Sequence, residues 1–399
     1  MWEAGVSVRA MRLLHTSDWH LGRSLHGVDL LDHQAAYLDH VLDVVRAERV
    51  DAVVVAGDVY DRAIPPVEAV TLLSDTLARL AEITTVVLTS GNHDSATRLG
   101  FGAGLMRERV QLRTHLAGIA SPVEIRGEDD ERALVYGLPY LDPDTVRGPL
   151  AEPGGEPLAR SHEAVTSVAM ARVRADLATR SGAGPVRSVV AAHAFVVGGL
   201  TSESERDIRV GGVDHVPSAV FTGVDYVALG HLHGPQRVAG PDGTTLRYSG
   251  SPLAYSFSEQ HHTKSSVLVD LDARGVRTEL VAAPVPRRLT DLTGPLEDVL
   301  GALGEAHLED WVRVVVTDAH RPADLYARVR ARFAHALVVQ HRAPEAAGER
   351  ALRAVTSAQD PVEVAGDFVA HVTGARPDAA ELAVLRAAYE HVADAERSA

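Results

Sequence analysis

The stretch TTVVLTSGNHDSATRLG, residues 84–100, runs from β-branched residues straight into Gly91-Asn92-His93-Asp94. Its apolar part, Val86–Thr89, reads as a buried strand, because β-branched side chains pack well on a pleated surface. Three polar side chains then follow at the carboxyl end of that strand. They can be turn chemistry, metal ligands or a catalytic group, and the stretch alone leaves the choice open.

The pattern recurs along the chain. Arg12–His15 leads to SDWH with Asp18 and His20, and Ala52–Ala56 leads to GDVYD with Asp58 and Asp61. Ser188–Ala192 leads to His193, and Tyr226–Leu229 leads to GHLH with His231 and His233. In open α/β sheets, ligand sites gather at the carboxyl ends of the strands, so these residues are expected to converge. Gly57, Gly91 and Gly230 each stand immediately before a candidate ligand, where a residue without Cβ lets the backbone approach closely. In an extended segment, residues i and i+2 point the same way. Asp18/His20 and His231/His233 are therefore expected to face inward together, with Trp19 and Leu232 packing on the other side.

Helical patterns at Ala35–Arg46 and Val67–Leu80 alternate with these strands, which predicts an α/β layered domain. TTLRYSG and KSSVLVDLD suggest a hairpin-rich second sheet, and GPDG at 240–243 is a turn signal. The proline density of AAPVPRRL, residues 282–289, marks a domain boundary. Beyond it, WVRVVVTD and HALVVQHR read as strands and PADLYARVRARF as a helix. Two amphipathic helices are expected in the tail, at Val362–Val372 and Asp378–Asp394.

Composition narrows the chemistry. The 399 residues include no cysteine, which excludes disulfides and thiolate metal sites and leaves His, Asp, Glu, Asn and water as ligands. A net charge of −15 argues against whole-surface attraction to nucleic acid, though not against a local groove. No run of apolar residues reaches membrane-spanning length, and the N-terminus lacks a basic start followed by an apolar segment. A cytoplasmic location is the expectation. The basic residues are nearly all arginine, and Lys264 is the one lysine.

A lone D-x-H or H-x-H is more often a satisfied polar pair than a ligand set. The ordered series D-x-H, G-D-x-x-D, G-N-H-D, H and G-H-x-H, each after an apolar run, is far more specific. Two divalent cations held by such groups can clamp the attacking and leaving oxygens of a phosphoryl displacement. Imidazole and oxygen ligands suit manganese, iron or zinc, with manganese favoured.

The chain resembles the calcineurin-like metallophosphoesterase family, and within it the SbcD branch of nuclease subunits. The residues that carry the resemblance are LLHTSDWHLGRSLHG, GDVYDRAIPP, SGNHDSATRLG, SESERDIRVGG, DYVALGHLHGPQRV and RYSGSPLAYSFSE. It implies an α/β fold of two sandwiched sheets flanked by helices, with a small α/β capping domain and a helical tail. The implied layout is an extension at 1–10, a nuclease domain at 11–282, a capping, DNA-binding domain at 283–345, and a linker with an ATPase-docking tail at 346–399. It also implies that Asp18, His20 and His233 hold one metal, that Asn92, His193 and His231 hold a second, and that Asp58 bridges them. Two divalent ions, manganese favoured, are the implied cofactors. His93 becomes the acid or transition-state cation, oriented by Asp61.

The implied activity is metal-dependent DNA cleavage, 3′–5′ on duplex ends and endonucleolytic on single strands and hairpins. The implied partners are DNA, an SbcC-type ATPase met by the C-terminal helices, and a second copy of the chain within a heterotetramer, with no membrane. Arg23 and Arg62 follow ligand loops and can touch phosphate, although a solvated loop arginine is as common. The alternative is a phosphatase or phosphodiesterase for small phosphate esters. Asp94 is expected to cap the helix that follows it, and histidines outside the motifs, such as His15, read as packing or surface groups.

Overall fold

The computed structural model describes residues 9–106, 108–127, 131–180, 186–205, 215–344 and 361–397. Residues 1–8 of the proposed extension and much of the linker lie outside these residues, as does SESERDIRVGG beyond Glu205.

Ala52–Ala56 shows how the layers arise. Val53 and Val55 point to one face and pack against the helices Leu31–Ala47 and Val67–Ala81, meeting Leu38, Val41, Leu73 and Leu77. Ala52 and Val54 point to the other face and meet Val189, Ala191 and Ala228 of a second sheet. Period-two alternation with both faces apolar produces a strand buried on both sides. Removing a valine-sized side chain from water contributes roughly 1.5–3 kcal/mol each time, so this three-layer contact is a main source of the fold's stability.

The first sheet runs in the order Gly275–Ala282, Ser265–Asp272, Met11–Thr16, Ala52–Ala56, Thr85–Thr89, Val110–Arg113. Its last four strands are parallel. The second sheet runs Gln236–Val238, Thr245–Tyr248, Tyr226–Gly230, Arg187–His193, Arg132–Gly137, Val123–Arg126, with four parallel strands at its centre. The helix His162–Arg180 covers its outer face through Val165, Ala169, Met170 and Val173. The two-sheet sandwich flanked by helices that the sequence implied is the fold observed.

TTLRYSG and KSSVLVDLD do not share a second sheet as expected. Thr245–Tyr248 lies parallel to Tyr226–Gly230, whereas Ser265–Asp272 returns antiparallel to Met11–Thr16, with Leu13 opposite Val269. The reason is packing. Val267, Val269 and Leu271 join the apolar layer between the two sheets, and the edge beside Met11–Thr16 is where a strand can place them. The GPDG turn does close a hairpin, between Gln236–Val238 and Thr245–Tyr248.

Beyond residue 282, three parallel strands, Leu289–Gly294, Trp311–Val316 and Ala336–His341, form a small sheet. The boundary stretch thus ends on a strand that its prolines had hidden. The helix Leu325–Arg332 packs Leu325 and Val329 on this sheet with Phe333. Leu289 and Trp311 also join Leu25, Leu30, Tyr255 and Phe257 in one buried cluster, which ties the module to the sandwich.

Residues to Ala343 form one compact unit, and Pro344 onward a second. Within the second, the helices Pro361–Thr373 and Ala379–Arg397 pack on each other, with Gly366 close to Leu382. Asp378 caps the last helix by accepting from Ala380 N and Glu381 N, while Glu381 accepts from Asp378 N at 2.9 Å.

Candidate metal centre

The candidate ligands converge where the central strands of both sheets end. The loop after Met11–Thr16 runs beside the loop after Ala52–Ala56: Asp18 N donates to Gly57 O, His20 N to Asp58 O and Leu21 N to Val59 O. The loop after Tyr226–Gly230 joins them through His231 N, which donates to Asp18 Oδ1 at 3.1 Å. His193 Nδ1–H donates to Ala56 O at 3.0 Å, fixing its ring across the two sheets.

The i and i+2 pairs do face inward, but not from extended backbone. Asp18, His20, Asp58 and His231 all have positive φ, at 54°, 45°, 47° and 102°. Each such non-glycine residue costs on the order of 1–3 kcal/mol, and this concentration on the site's own residues marks it as functional. Trp19 and Leu232 are fully buried on the other side, as expected. A Cβ on Gly91 would collide with Asp58, one on Gly57 with His193, and one on Gly230 with Ala56 O, so all three glycines stand where no side chain fits.

Among the described residues, three overlapping groups have donor atoms close enough to share an ion: Asp18, His20 and His233; Asp18, Asp58 and His193; and His20, Asp58 and His93. His20 Nε2 faces His233 Nε2 at 3.2 Å. Asn92 Oδ1 lies 2.9 Å from His193 Nε2. One oxygen, Asp58 Oδ2, is 3.3 Å from His193 Nε2 and 3.7 Å from His20 Nε2, between the two expected ligand sets. His231 stands with its ring 5.3 Å from that of His193.

These residues suit hard or borderline divalent cations. Burial drives the His20 and His231 imidazoles well below their ordinary value, which keeps them neutral and able to ligate. Burial would lower His193 too, but the charges of Asp58 and Asp18 outweigh it and raise it to about 9. Burial also works against the Asp58 carboxylate, yet His193, His20 and His93 hold it well below its usual range. A cluster that stabilises a cation at His193 and keeps Asp58 ionised has the electrostatics of a metal site.

His93 and Asp61 differ from the expectation in one respect. His93 Nδ1–H donates to the main-chain carbonyl of Asp61 at 2.7 Å, not to its carboxylate. That carboxylate lies 3.7 Å from His20 Nδ1 and 3.4 Å from Arg23 Nη1. The turn at 58–61 brings the carbonyl inward and leaves the carboxylate at the rim. His93 Nε2 points toward the cluster, 4.0 Å from Asp58 Oδ2.

Asp94 does not cap the next helix. Its carboxylate accepts from Val59 N, Tyr60 N and Gly91 N, stapling two ligand loops together, and Ser95 is the cap, accepting from Arg98 N. Arg23 stacks over the Tyr255 ring at 4.8 Å at the edge of the site, while Arg62 is exposed. His15 is a packing residue, bonded to Tyr226 Oη and to Leu229 O. Of the arginines in the small module, Arg328 pairs with Glu297 and Arg332 with Glu305, so neither presents a free cation.

Sequence reasoning missed Ser204, Glu205, Glu259 and Lys264, which surround His233. The signals were present: Lys264 is a lone lysine among arginines, and Glu259 ends the RYSGSPLAYSFSE stretch.

The chain belongs to the calcineurin-like phosphoesterase family, whose model matches residues 11–235. Residues 285–373 match an SbcD-type C-terminal domain, described as the type 5 capsule protein repressor C-terminal domain. Among curated relatives, the chain is 37% identical over 266 residues to the D subunit of the SbcCD nuclease of Bacillus subtilis, a match covering 65% of this chain and 66% of that protein. Among solved structures it is similar to TT1561 of Thermus thermophilus, with 15% identity, a TM-score of 0.37, and coverage of 68% of this chain and 99% of that one. A dimetal phosphatase from Danio rerio has 12% identity and a TM-score of 0.37, over 69% of this chain and 100% of its own. Among the described residues, no helix is long and apolar enough to cross a membrane.

Proposed function

We propose that this chain is the nuclease subunit of an SbcCD-type complex. In this reading it is a cytoplasmic, metal-dependent DNA phosphodiesterase acting with an SbcC-type ATPase in DNA end processing, recombination and repair. It cleaves duplex ends 3′–5′ and single strands or hairpins internally. The observation that carries the reading is the buried convergence of Asp18, His20, Asp58, His193, His231 and His233 with Asn92 beside them.

Asp18, His20 and His233 would hold one divalent cation, and Asn92, His193 and His231 the second, with Asp58 shared. Two such ions, manganese favoured, supply Lewis-acid polarisation of the phosphate and acidify the attacking water. The chain's own residues do the rest. His93, with Nδ1–H committed to Asp61 O, carries its transferable proton on Nε2 and gives it to the leaving oxygen. Arg23, held against Tyr255, offers a guanidinium to a phosphate entering the site, and Arg62 offers a second from the exposed loop.

The layout read from the sequence carries over to this proposal: a nuclease domain to residue 282, a capping module from 283, and a tail from 346. Ile64, Val67, Val70, Phe101 and Leu105 are exposed around the helix Val67–Ala81, an apolar surface suited to a second copy of the chain. The tail helices expose Phe368, Val372, Val384 and Tyr389, an apolar stripe suited to the ATPase.

The test is a comparison of substrates. The purified chain loaded with Mn²⁺, with and without its ATPase, is expected to cleave linear and hairpin DNA far faster than a small phosphate ester. Turnover of the small ester with no DNA cleavage under either condition would replace this reading with the phosphatase alternative.

A further inference from the structure

His233 is held on every polar atom but one. Its main-chain N–H donates to Glu205 Oε1 at 2.9 Å, and its carbonyl accepts from Lys264 Nζ at 3.0 Å. Its ring Nδ1 lies 2.8 Å from Ser204 Oγ and 3.2 Å from Glu259 Oε1. That leaves Nε2, which faces His20 Nε2.

Glu259 and Lys264 are both buried. Lys264 Nζ donates to Glu259 Oε2, to Ser251 Oγ at 2.9 Å and to His233 O, three acceptors for the three protons of an ammonium. A planar guanidinium fork does not match three acceptors arranged around one nitrogen, which accounts for the single lysine in an arginine-rich chain. Lys264 Nζ, the Ser204 hydroxyl and Tyr255 N–H all donate to Glu259, the donor set of an ionised carboxylate. Ser204 Oγ also donates to Glu259 Oε1, so this oxygen is the terminal acceptor for both hydroxyl and imidazole.

An ionised carboxylate only accepts. Whether directly or through Ser204, it therefore demands a proton on His233 Nδ1 and leaves the lone pair on Nε2. The turn that bears Glu259 is itself fixed: Phe257 is buried with Leu289 and Trp311, Arg313 stacks on its ring at 4.9 Å, and Gln260 Oε1 accepts from Asp291 N at 3.0 Å.

We propose that Glu259 is a positioning residue of the metal centre, selecting the His233 tautomer that ligates through Nε2, with Lys264 as its built-in counter-ion. The proposal rests on the metal-centre reading above. The test measures Mn²⁺ binding by calorimetry, thermal stability, and the His233 tautomer by imidazole ¹⁵N NMR on the metal-free chain. It uses the full chain and its Glu259→Gln, Lys264→Met and Glu259→Gln/Lys264→Met variants.

Glu259→Gln is expected to weaken one of the two bound ions by roughly 10–100-fold and to shift His233 away from the Nδ1–H tautomer. Lys264→Met is expected to lower stability and to weaken that ion less than Glu259→Gln does, because the Glu259 carboxyl stays beside His233 Nδ1. The double variant removes both charges together, so it should recover stability and keep the weakened metal affinity. Parent-like affinity and tautomer in the double variant would overturn the proposal and leave Glu259 a stabilising group only. No Mn²⁺ binding by the unaltered chain would overturn the metal-centre reading and this proposal with it.

Discussion

His20 Nε2 and His233 Nε2 meet at 3.2 Å although their chain positions lie 213 residues apart, one in each sheet's loop system. Two imidazole nitrogens facing each other in a fully buried pocket either share one proton or direct both lone pairs at a cation. A cation there would take both lone pairs, with Asp18 completing the group and Asp58 standing between it and the second ligand set. Three outcomes follow from that arrangement, and a fourth from the exposed apolar surface beside the helix Val67–Ala81.

Asp58 stands between the two ligand sets, so its loss should be felt by both. Asp58→Ala is expected to lose both ions, read as metal per chain by elemental analysis, and to abolish hydrolysis. Retention of one full equivalent would show that Asp58 serves a single ion.

His93 donates through Nδ1 to a main-chain carbonyl, which no side-chain substitution at Asp61 removes. His93→Ala should keep both metals and lose turnover by about 10²–10⁴-fold, the range of one general acid. Asp61→Asn should retain more turnover than His93→Ala, because the carbonyl remains. Equal losses would return the orienting role to the Asp61 carboxylate.

In the metal-free chain His193 is raised to about 9 by Asp58 and Asp18 against the effect of burial, so it is protonated at neutral pH. A metal ion must displace that proton. Apparent metal affinity should therefore rise with pH, by roughly tenfold per unit for one displaced proton, and level off above about 9. Calorimetry in buffers of different ionisation enthalpy at pH 7 and 8 should record the proton released. Affinity independent of pH across that window would contradict the charge state assigned to His193.

The exposed apolar surface at Phe101 and Leu105 should bury itself in a second copy. Phe101→Glu is expected to shift the chain from dimer to monomer in sedimentation with the fold retained in circular dichroism, since Phe101 is 85% exposed in the single chain. A monomeric unaltered chain would remove this surface from consideration.

Much of the centre was legible in the sequence because each ligand follows a β-rich run that had to be a buried strand, and parallel strands deliver their ends to one side. The close approaches at Gly57, Gly91 and Gly230 were legible for the same reason. The left-handed backbone of Asp18, His20, Asp58 and His231 was not, because local preference favours ordinary conformations there and tertiary contacts override it. Asp94 and Asp61 were misread because three backbone amides outcompeted a helix terminus for the first, and a tight turn exchanged carboxylate for carbonyl in the second. Ser265–Asp272 was misplaced because alternation reports which face is apolar but not which sheet edge is open.

Two ions bound by this cluster are proposed to carry the cleavage of DNA. The most direct measurement titrates Mn²⁺ into the metal-free chain with its ATPase while cleavage of an end-labelled duplex and metal occupancy are followed together. Cleavage that is absent without metal and rises with the second bound equivalent is the predicted result. Full occupancy by two ions with the duplex intact, or cleavage that persists in Asp58→Ala, would contradict it.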